Sequence, residues 1–323
     1  MRWRRRTGWL AGAAGLLLVA GCKAGPGVAP SASAGTQAPA AQQAEYVGSA
    51  ICLACHRATT PGLMASFEQT VMGKVFLHNA ETVLEKQSCE ACHGPGGAHV
   101  AAGGAKGKGV GPGQMISFAK DDPTPVHERN AKCLACHERR AHLNWKGSPH
   151  ERNDVACTNC HTIMQRRAPK QLARANVVET CGQCHLVKRA QLLGRVAHMP
   201  IPEGKMSCID CHNPHGSSTP FMLVKDSPND TCFTCHADKR GPFLWEHPPV
   251  VESCMNCHDP HGTNHVSLLK RVLPRLCQQC HIETRHPTFP WNPGTRFAFN
   301  RACANCHVRI HGSNHPSGFA FER

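Results

Sequence analysis

The chain has 323 residues, with 21 cysteines and 23 histidines but only 5% aromatic residues and one tyrosine, poor material for a large side-chain core. Its formal charge of +14 does not make it a nucleic-acid binder, because no basic run beyond the N-terminus is interleaved with aromatics as a stacking groove is. The surplus of Cys and His turns attention to covalent and metal chemistry.

Arg2, Arg4, Arg5 and Arg6 precede an apolar stretch from Trp9 to Ala20, which ends in Leu18-Val19-Ala20-Gly21-Cys22. This reads as a lipoprotein signal peptide over 1–21. The run is too short for a permanent membrane span, and the small residues at the cut leave Cys22 as the acylated N-terminus. Residues 22–45 are rich in Ala, Pro, Gly, Ser and Gln, bury too little apolar surface to fold, and read as a flexible tether. The remaining region, 46–323, carries the chemistry.

There Cys-x-x-Cys-His occurs ten times, where composition alone predicts roughly 0.1 occurrences. The cysteine pairs are Cys52/Cys55, Cys89/Cys92, Cys133/Cys136, Cys157/Cys160, Cys181/Cys184, Cys208/Cys211, Cys232/Cys235, Cys254/Cys257, Cys277/Cys280 and Cys303/Cys306. The histidines that follow are His56, His93, His137, His161, His185, His212, His236, His258, His281 and His307. In such a motif two thiols add to haem vinyl groups and the next histidine binds iron from below the ring. Zinc sites give no reason for His to follow the second Cys every time, and disulfides leave the histidines unexplained. The motifs therefore predict ten covalently bound c-type haems. Their propionates offset the basic residues: with the signal arginines removed, the mature protein runs from about 0 when oxidised to about −10 when reduced.

No segment alternates with period 2, and helical signals are confined to short stretches such as Val83 to Cys89 and Gln171 to Val178. A motif-free gap from His99 to Cys133 contains the glycine-rich run Gly103 to Gly113 and reads as an external loop. The expected fold is that of a multihaem cytochrome c: mostly coil, with short α-helices wrapped on haems, little or no β structure, and an elongated haem chain.

Taken in consecutive pairs, the motifs form five di-haem units, each with a potential ligand before and after its even motif. This nominates His99, His150, His198, His215, His247, His261, His286 and His311 as distal iron ligands. In the second unit Met164 stands where the third and fourth have His215 and His261, so His161 and Met164 are expected to share one iron, with His127 or His142 as the alternatives to Met164. In the first unit Met72 and His78 compete. His78, His127, His142, His265 and His315 are surplus, although His265 and His315 recur beside His261 and His311 and compete with them. Trp245 is expected to pack on a haem edge.

The stretches Cys89-Glu-Ala-Cys-His-Gly-Pro-Gly, Gly241 through Cys254, and Asn305 through Gly318 resemble the MtrA/DmsE family of periplasmic decahaem cytochromes, and the likeness covers nearly the whole of 46–323. It departs from that family at Met72 and Met164, where members carry histidine, and in the lipid anchor. The resemblance implies an electron conduit seated in an outer-membrane β-barrel protein, linking periplasmic and extracellular redox proteins in either direction. The expected location is the periplasmic face of the outer membrane, anchored to the membrane through the lipid on Cys22. Two other readings are a tethered periplasmic shuttle without a barrel, and a multihaem reductase. The reductase needs an iron open to substrate, whereas here all ten distal positions can be filled.

Overall fold

The computed structural model describes residues 45–107, 109–111, 114–119, 121–282 and 302–322. Cys22, His286 and part of the glycine-rich run lie outside them, together with the signal and tether expected over 1–45 except Glu45.

Regular structure is short, as expected. Seven helices lead from the first motif to the third: α1 (Ser49–Thr59), α2 (Pro61–Glu68), α3 (Val71–His78), α4 (Val83–Lys86), α5 (Cys89–His93), α6 (Gly97–Ala101) and α7 (Val126–His137). Beyond α7 the elements are single turns and helices of at most seven residues. Among the described residues, β structure amounts to β1 (Val196–Ala197) paired antiparallel with β2 (Gly262–Thr263) and a few isolated bridges.

Local capping explains where the helices start. Thr70 accepts from the Gly73 amide at 2.9 Å, and its hydroxyl donates to the Phe67 carbonyl at 2.8 Å, so α3 turns sharply off α2. A Cβ on Gly73 would lie 1.9 Å from that carbonyl, so only glycine fits. Thr82 and Glu85 form a reciprocal capping box on α4. Two expectations need correction. Helix does not run over 171–178; a turn at Pro169–Gln171 is followed by a helix at Val177–Cys181, capped by Asn176. The gap before Cys133 is loop only in part, because α7 begins within it at Val126.

The side-chain core is small. The buried apolar side chains among the described residues are Met64, Phe67, Phe76, Ala91, Ile116, Trp145, Ala156, Ala168 and Ala197. Buried polar side chains hold the backbone in their place. Glu90 accepts from the Val47, Gly48 and Gly96 amides at 2.8–3.0 Å, which ties the start of α1 to α5. Asn130 accepts from the Cys157 amide and donates to the Val155 carbonyl. Asn229 does the same one repeat on, with the Cys254 amide and the Val250 and Val251 carbonyls. Each asparagine sits three residues before an odd motif and fixes the start of the following even motif.

Candidate haem-binding sites

Each motif is one helical turn. The first three lie in α1, α5 and α7; in the other seven the histidine amide donates to the carbonyl of the first cysteine at 2.9–3.0 Å. Positions i, i+3 and i+4 share a helix face, so one turn presents both thiols and the imidazole to the same side.

The even motifs carry a further clasp. The ring nitrogens Nδ1 of His161, His212 and His258 bond the carbonyls of Lys170, Phe221 and Ser267, each nine residues on, at 3.1, 2.8 and 2.8 Å. Those three residues, and the one after each, adopt left-handed φ between 54° and 62°, which turns the carbonyls back onto the ring. His93 and His307 are held likewise by the Ile116 and Ala320 carbonyls. Fixing Nδ1 as the donor leaves Nε2 with its lone pair for a metal.

The imidazoles meet in pairs. Ring centroids lie 6.2 Å apart for His150–His185, 6.1 Å for His161–His215, 6.4 Å for His198–His236, 6.1 Å for His212–His261, 6.2 Å for His247–His281 and 6.2 Å for His258–His311. Two metal–imidazole bonds of about 2 Å, plus the distance from nitrogen to ring centre on each side, come to about 6 Å. These pairs thus have the separation of two imidazoles on opposite faces of one haem iron. The residues present fit haem in a second way, because large apolar side chains stand exposed beside the motifs. Leu186 and Val187 follow His185, Phe221 supplies the carbonyl that holds His212, Val266 precedes Ser267, and Phe319 precedes Ala320. Porphyrin faces would cover such surface. No group of three or more His, Cys, Asp or Glu among the described residues is placed to hold a bare metal ion.

Burial pushes His198, His215, His247, His261 and His311 below the ordinary imidazole value. His215, which the imidazoles of His142, His161 and His150 depress further, is pushed down to about 4. These side chains are neutral near pH 7, the state an iron ligand requires.

The pairing corrects two expectations. His161 faces His215 at 6.1 Å, the place expected for Met164. More generally, the histidine after an even motif does not serve its own motif: His215, His261 and His311 face His161, His212 and His258, one even motif back. The reason is reach. A residue three or four positions after a proximal histidine would emerge on the proximal side of a bound haem and could not cross the ring to the far face. His150, His198 and His247 in turn face the following odd motifs. Met72 and Met164 are half-buried, and His99 lies on α6 with its backbone against Gly109. His142, expected to be surplus, lies 5.9 Å from His137 and 4.0 Å from His215. Trp245 packs on Phe319 and against Gly318.

Glycine follows three of the distal histidines. Gly216, Gly262 and Gly312 have φ of +103°, +145° and +134°, and a Cβ there would lie 2.1 Å from the Asn144 carbonyl, the Gln191 carbonyl and the Phe243 ring respectively. The repeated His-Gly dipeptide was the sequence signal for this close approach, as Asn three residues before Cys133 and Cys232 was for the buried clamps.

The cysteines form a chain of neighbours. The thiols of Cys52, Cys133, Cys181 and Cys232 lie beside those of Cys89, Cys157, Cys208 and Cys254, and the interaction within each pair pushes the first thiol up and the second down. Cys277 and Cys303 are likewise neighbours. The second cysteines link across these pairs, with Cys92 near Cys136, Cys160 near Cys184, Cys211 near Cys235 and Cys257 near Cys280. As thioethers these sulfurs no longer titrate; their proximity remains, and it joins the first motif to the tenth.

Cys55 and Cys306, expected to attach haem on the same terms as the other second cysteines, have no second cysteine of another motif beside them among the described residues. They are the two left over at the ends of this series, and both are exposed, as are Cys136, Cys184, Cys235 and Cys280. Cys306 shows the contrast best, since the second cysteines of the other even motifs, Cys92, Cys160, Cys211 and Cys257, are half-buried. Each of those has the second cysteine of a following odd motif beside it, whereas no motif follows the tenth. Cys55 is the counterpart at the other end, because no even motif precedes the first. The helical turn still places Cys55 beside His56 and Cys306 beside His307, so their proposed role stands on local spacing alone.

The doubled CXXCH motif family matches residues 148–190, 198–241 and 247–286. Each match starts at or just before His150, His198 or His247 and runs through the odd motif that this histidine faces. The chain is also 40% identical over 285 residues, 85% of its length and 81% of the relative's, to the multiheme cytochrome MtrA of Shewanella baltica (strain OS185).

Proposed function

Because the chain belongs to the MtrA family of multihaem cytochromes, electron carriers with several covalently bound c-type haems, we propose that it holds ten haems and conducts electrons across the outer membrane inside a β-barrel partner. Its seat is the periplasmic face, where acylated Cys22 anchors residues 46–323 through the tether. The observation that carries this reading is the unbroken series of neighbouring cysteines from Cys52 to Cys303, which leaves no wide gap between consecutive attachment points.

Bound at these motifs, c-type haem supplies a one-electron iron couple whose potential depends on axial ligands, hydrogen bonds and burial. The chain's own part is to hold it. Cysteine pairs would attach the ring, carbonyl clasps aim Nε2, and half-buried neutral imidazoles would approach from the opposite side. Filling both faces with imidazole leaves no position for substrate at the six paired sites, which favours conduction over catalysis. No helix among the described residues is long and apolar enough to cross a membrane; the barrel partner, and the periplasmic and extracellular redox proteins at either end, come from the family likeness.

Purification from native membranes with companions retained tests this reading. The expected complex contains an outer-membrane barrel and passes electrons to an external acceptor when set in vesicles. Recovery of the cytochrome alone under conditions that preserve other outer-membrane complexes would overturn the conduit and favour a tethered shuttle.

A further inference from the structure

We infer that Met164 is the distal ligand of the iron held at His93, in the second motif, and that His161 shares its iron with His215. The inference rests on the haem content proposed above and specifies one site within it.

Three junctions have the same plan, in which the segment after an even motif folds back onto the segment preceding the previous even motif. At the first, Asn213 Nδ2 donates to the Ala141 carbonyl at 3.3 Å, and His150 Nδ1 bonds the Pro214 carbonyl at 2.7 Å. At the second, Gln191 Nε2 donates to Asp259 Oδ2 at 2.8 Å, and β1 pairs with β2. At the third, His247 Nδ1 bonds the Ile310 carbonyl at 3.1 Å, and Trp245 and Ser313 exchange backbone bonds at 2.9 and 3.0 Å. Each junction delivers the histidine after the even motif to the proximal histidine one even motif back.

A fourth contact continues the series. The Arg166 amide donates to Ser66 Oγ at 3.4 Å, so the segment after the fourth motif lies on α2, which precedes the second motif. Met164 occupies in that segment the place of His215 and His261. The even motif one step back is Cys89–His93, with His93 aimed by the Ile116 carbonyl at 2.7 Å. His161 already has His215 at 6.1 Å with ring planes 17° apart. Gln165 stands where the other junctions have glycine. A methionine thioether is a neutral donor that pairs with histidine on haem iron and favours the ferrous state.

The test uses the holoprotein, with haem number checked by intact mass. Near-infrared magnetic circular dichroism of the oxidised wild type should contain a sulfur-to-ferric charge-transfer band. Met164→Gln should remove one site's share of it, whereas Met164→His should remove the same share, keep every iron low-spin and lower one midpoint potential. His215→Gln should leave the band unchanged and create one iron that binds carbon monoxide. Absence of the band in the wild type overturns the inference even if no variant matures. So does a band that survives both Met164 substitutions at full strength, or His215→Gln protein that binds no carbon monoxide. A wild type with ten haems but no band removes this ligand and leaves the electron-carrier reading intact.

Discussion

His258 and His311 stand with ring centroids 6.2 Å apart and planes 17° apart, although His311 belongs to the tenth motif's segment and His258 to the eighth. The final segment is therefore needed to complete a site it does not itself attach. A chain ending at Asn300 is expected to carry nine haems, one of them newly five-coordinate at His258. One equivalent of carbon monoxide should bind; nine low-spin irons with no binding would show that His261 or another local group fills that face.

Gly262→Ala should be far more costly than Gly48→Ala. Both glycines have positive φ, but a Cβ at 262 meets the Gln191 carbonyl at 2.1 Å, whereas at 48 nothing lies within 4 Å. The expected loss is about 3 kcal/mol or more at 262 against about 1 kcal/mol at 48. Denaturant unfolding measures both. The 262 variant should also loosen the His212 site, read as a high-spin fraction.

Asn229→Ala removes one acceptor and two donated bonds around the eighth motif, leaving the Cys254 amide and the Val250 carbonyl without this partner. Each buried group stripped of its bond costs about 1–3 kcal/mol, so a loss of about 2–4 kcal/mol is expected. Asn229→Asp should retain the bond from the Cys254 amide and lose the other two, falling between wild type and alanine in the midpoint of guanidinium unfolding.

Acid should loosen the loop that aims His93. Burial alone would raise the Asp122 pKa, but hydrogen bonds from Thr124 and Ser117 outweigh it and hold the carboxyl well below the usual range. Its folded pKa is depressed, so its stabilisation is complete above the unfolded value of about 3.9 and is lost as pH falls below that through the folded pKa. Asp122→Asn should weaken the fold at pH 7 and flatten its stability profile below about pH 4. Equal slopes for the two proteins would refute the role.

Cys22→Ala is expected to lose its acyl chains and shift toward the soluble periplasmic fraction. Intact mass and membrane fractionation measure this. A wild-type mass without acyl groups would remove the lipid anchor from the proposal.

Much of the site was legible in the sequence because the attachment chemistry is local. Cys254, Cys257 and His258 lie on one helical turn, so their spacing alone states which groups converge, and the same holds at all ten motifs. The shortness of the helices was legible too, from 5% aromatic content and the lack of sustained periodicity. Helix α7 was less so, because its apolar positions are few and tertiary contacts through Asn130 stabilise it. The exposure of Cys306 was not legible either, since its motif reads like the other nine and only the packing of neighbours distinguishes it.

Which imidazole faces which motif histidine was decided, at six motifs, by tertiary structure. Position after the motif marked His215, His261 and His311 as ligands but assigned them to their own units, because periodicity along a chain carries no direction across it. The fold decides otherwise through backbone contacts: the Pro214 carbonyl on His150, the β1–β2 pair beside His261, and the Trp245–Ser313 bridge beside His311. An imidazole on the far face of a porphyrin must come from chain that has travelled around the ring. Sequence therefore determined which cysteines and histidines converge at each motif, and only the folded chain, staggered by one even motif, determined which imidazole faces six of those histidines from the other side.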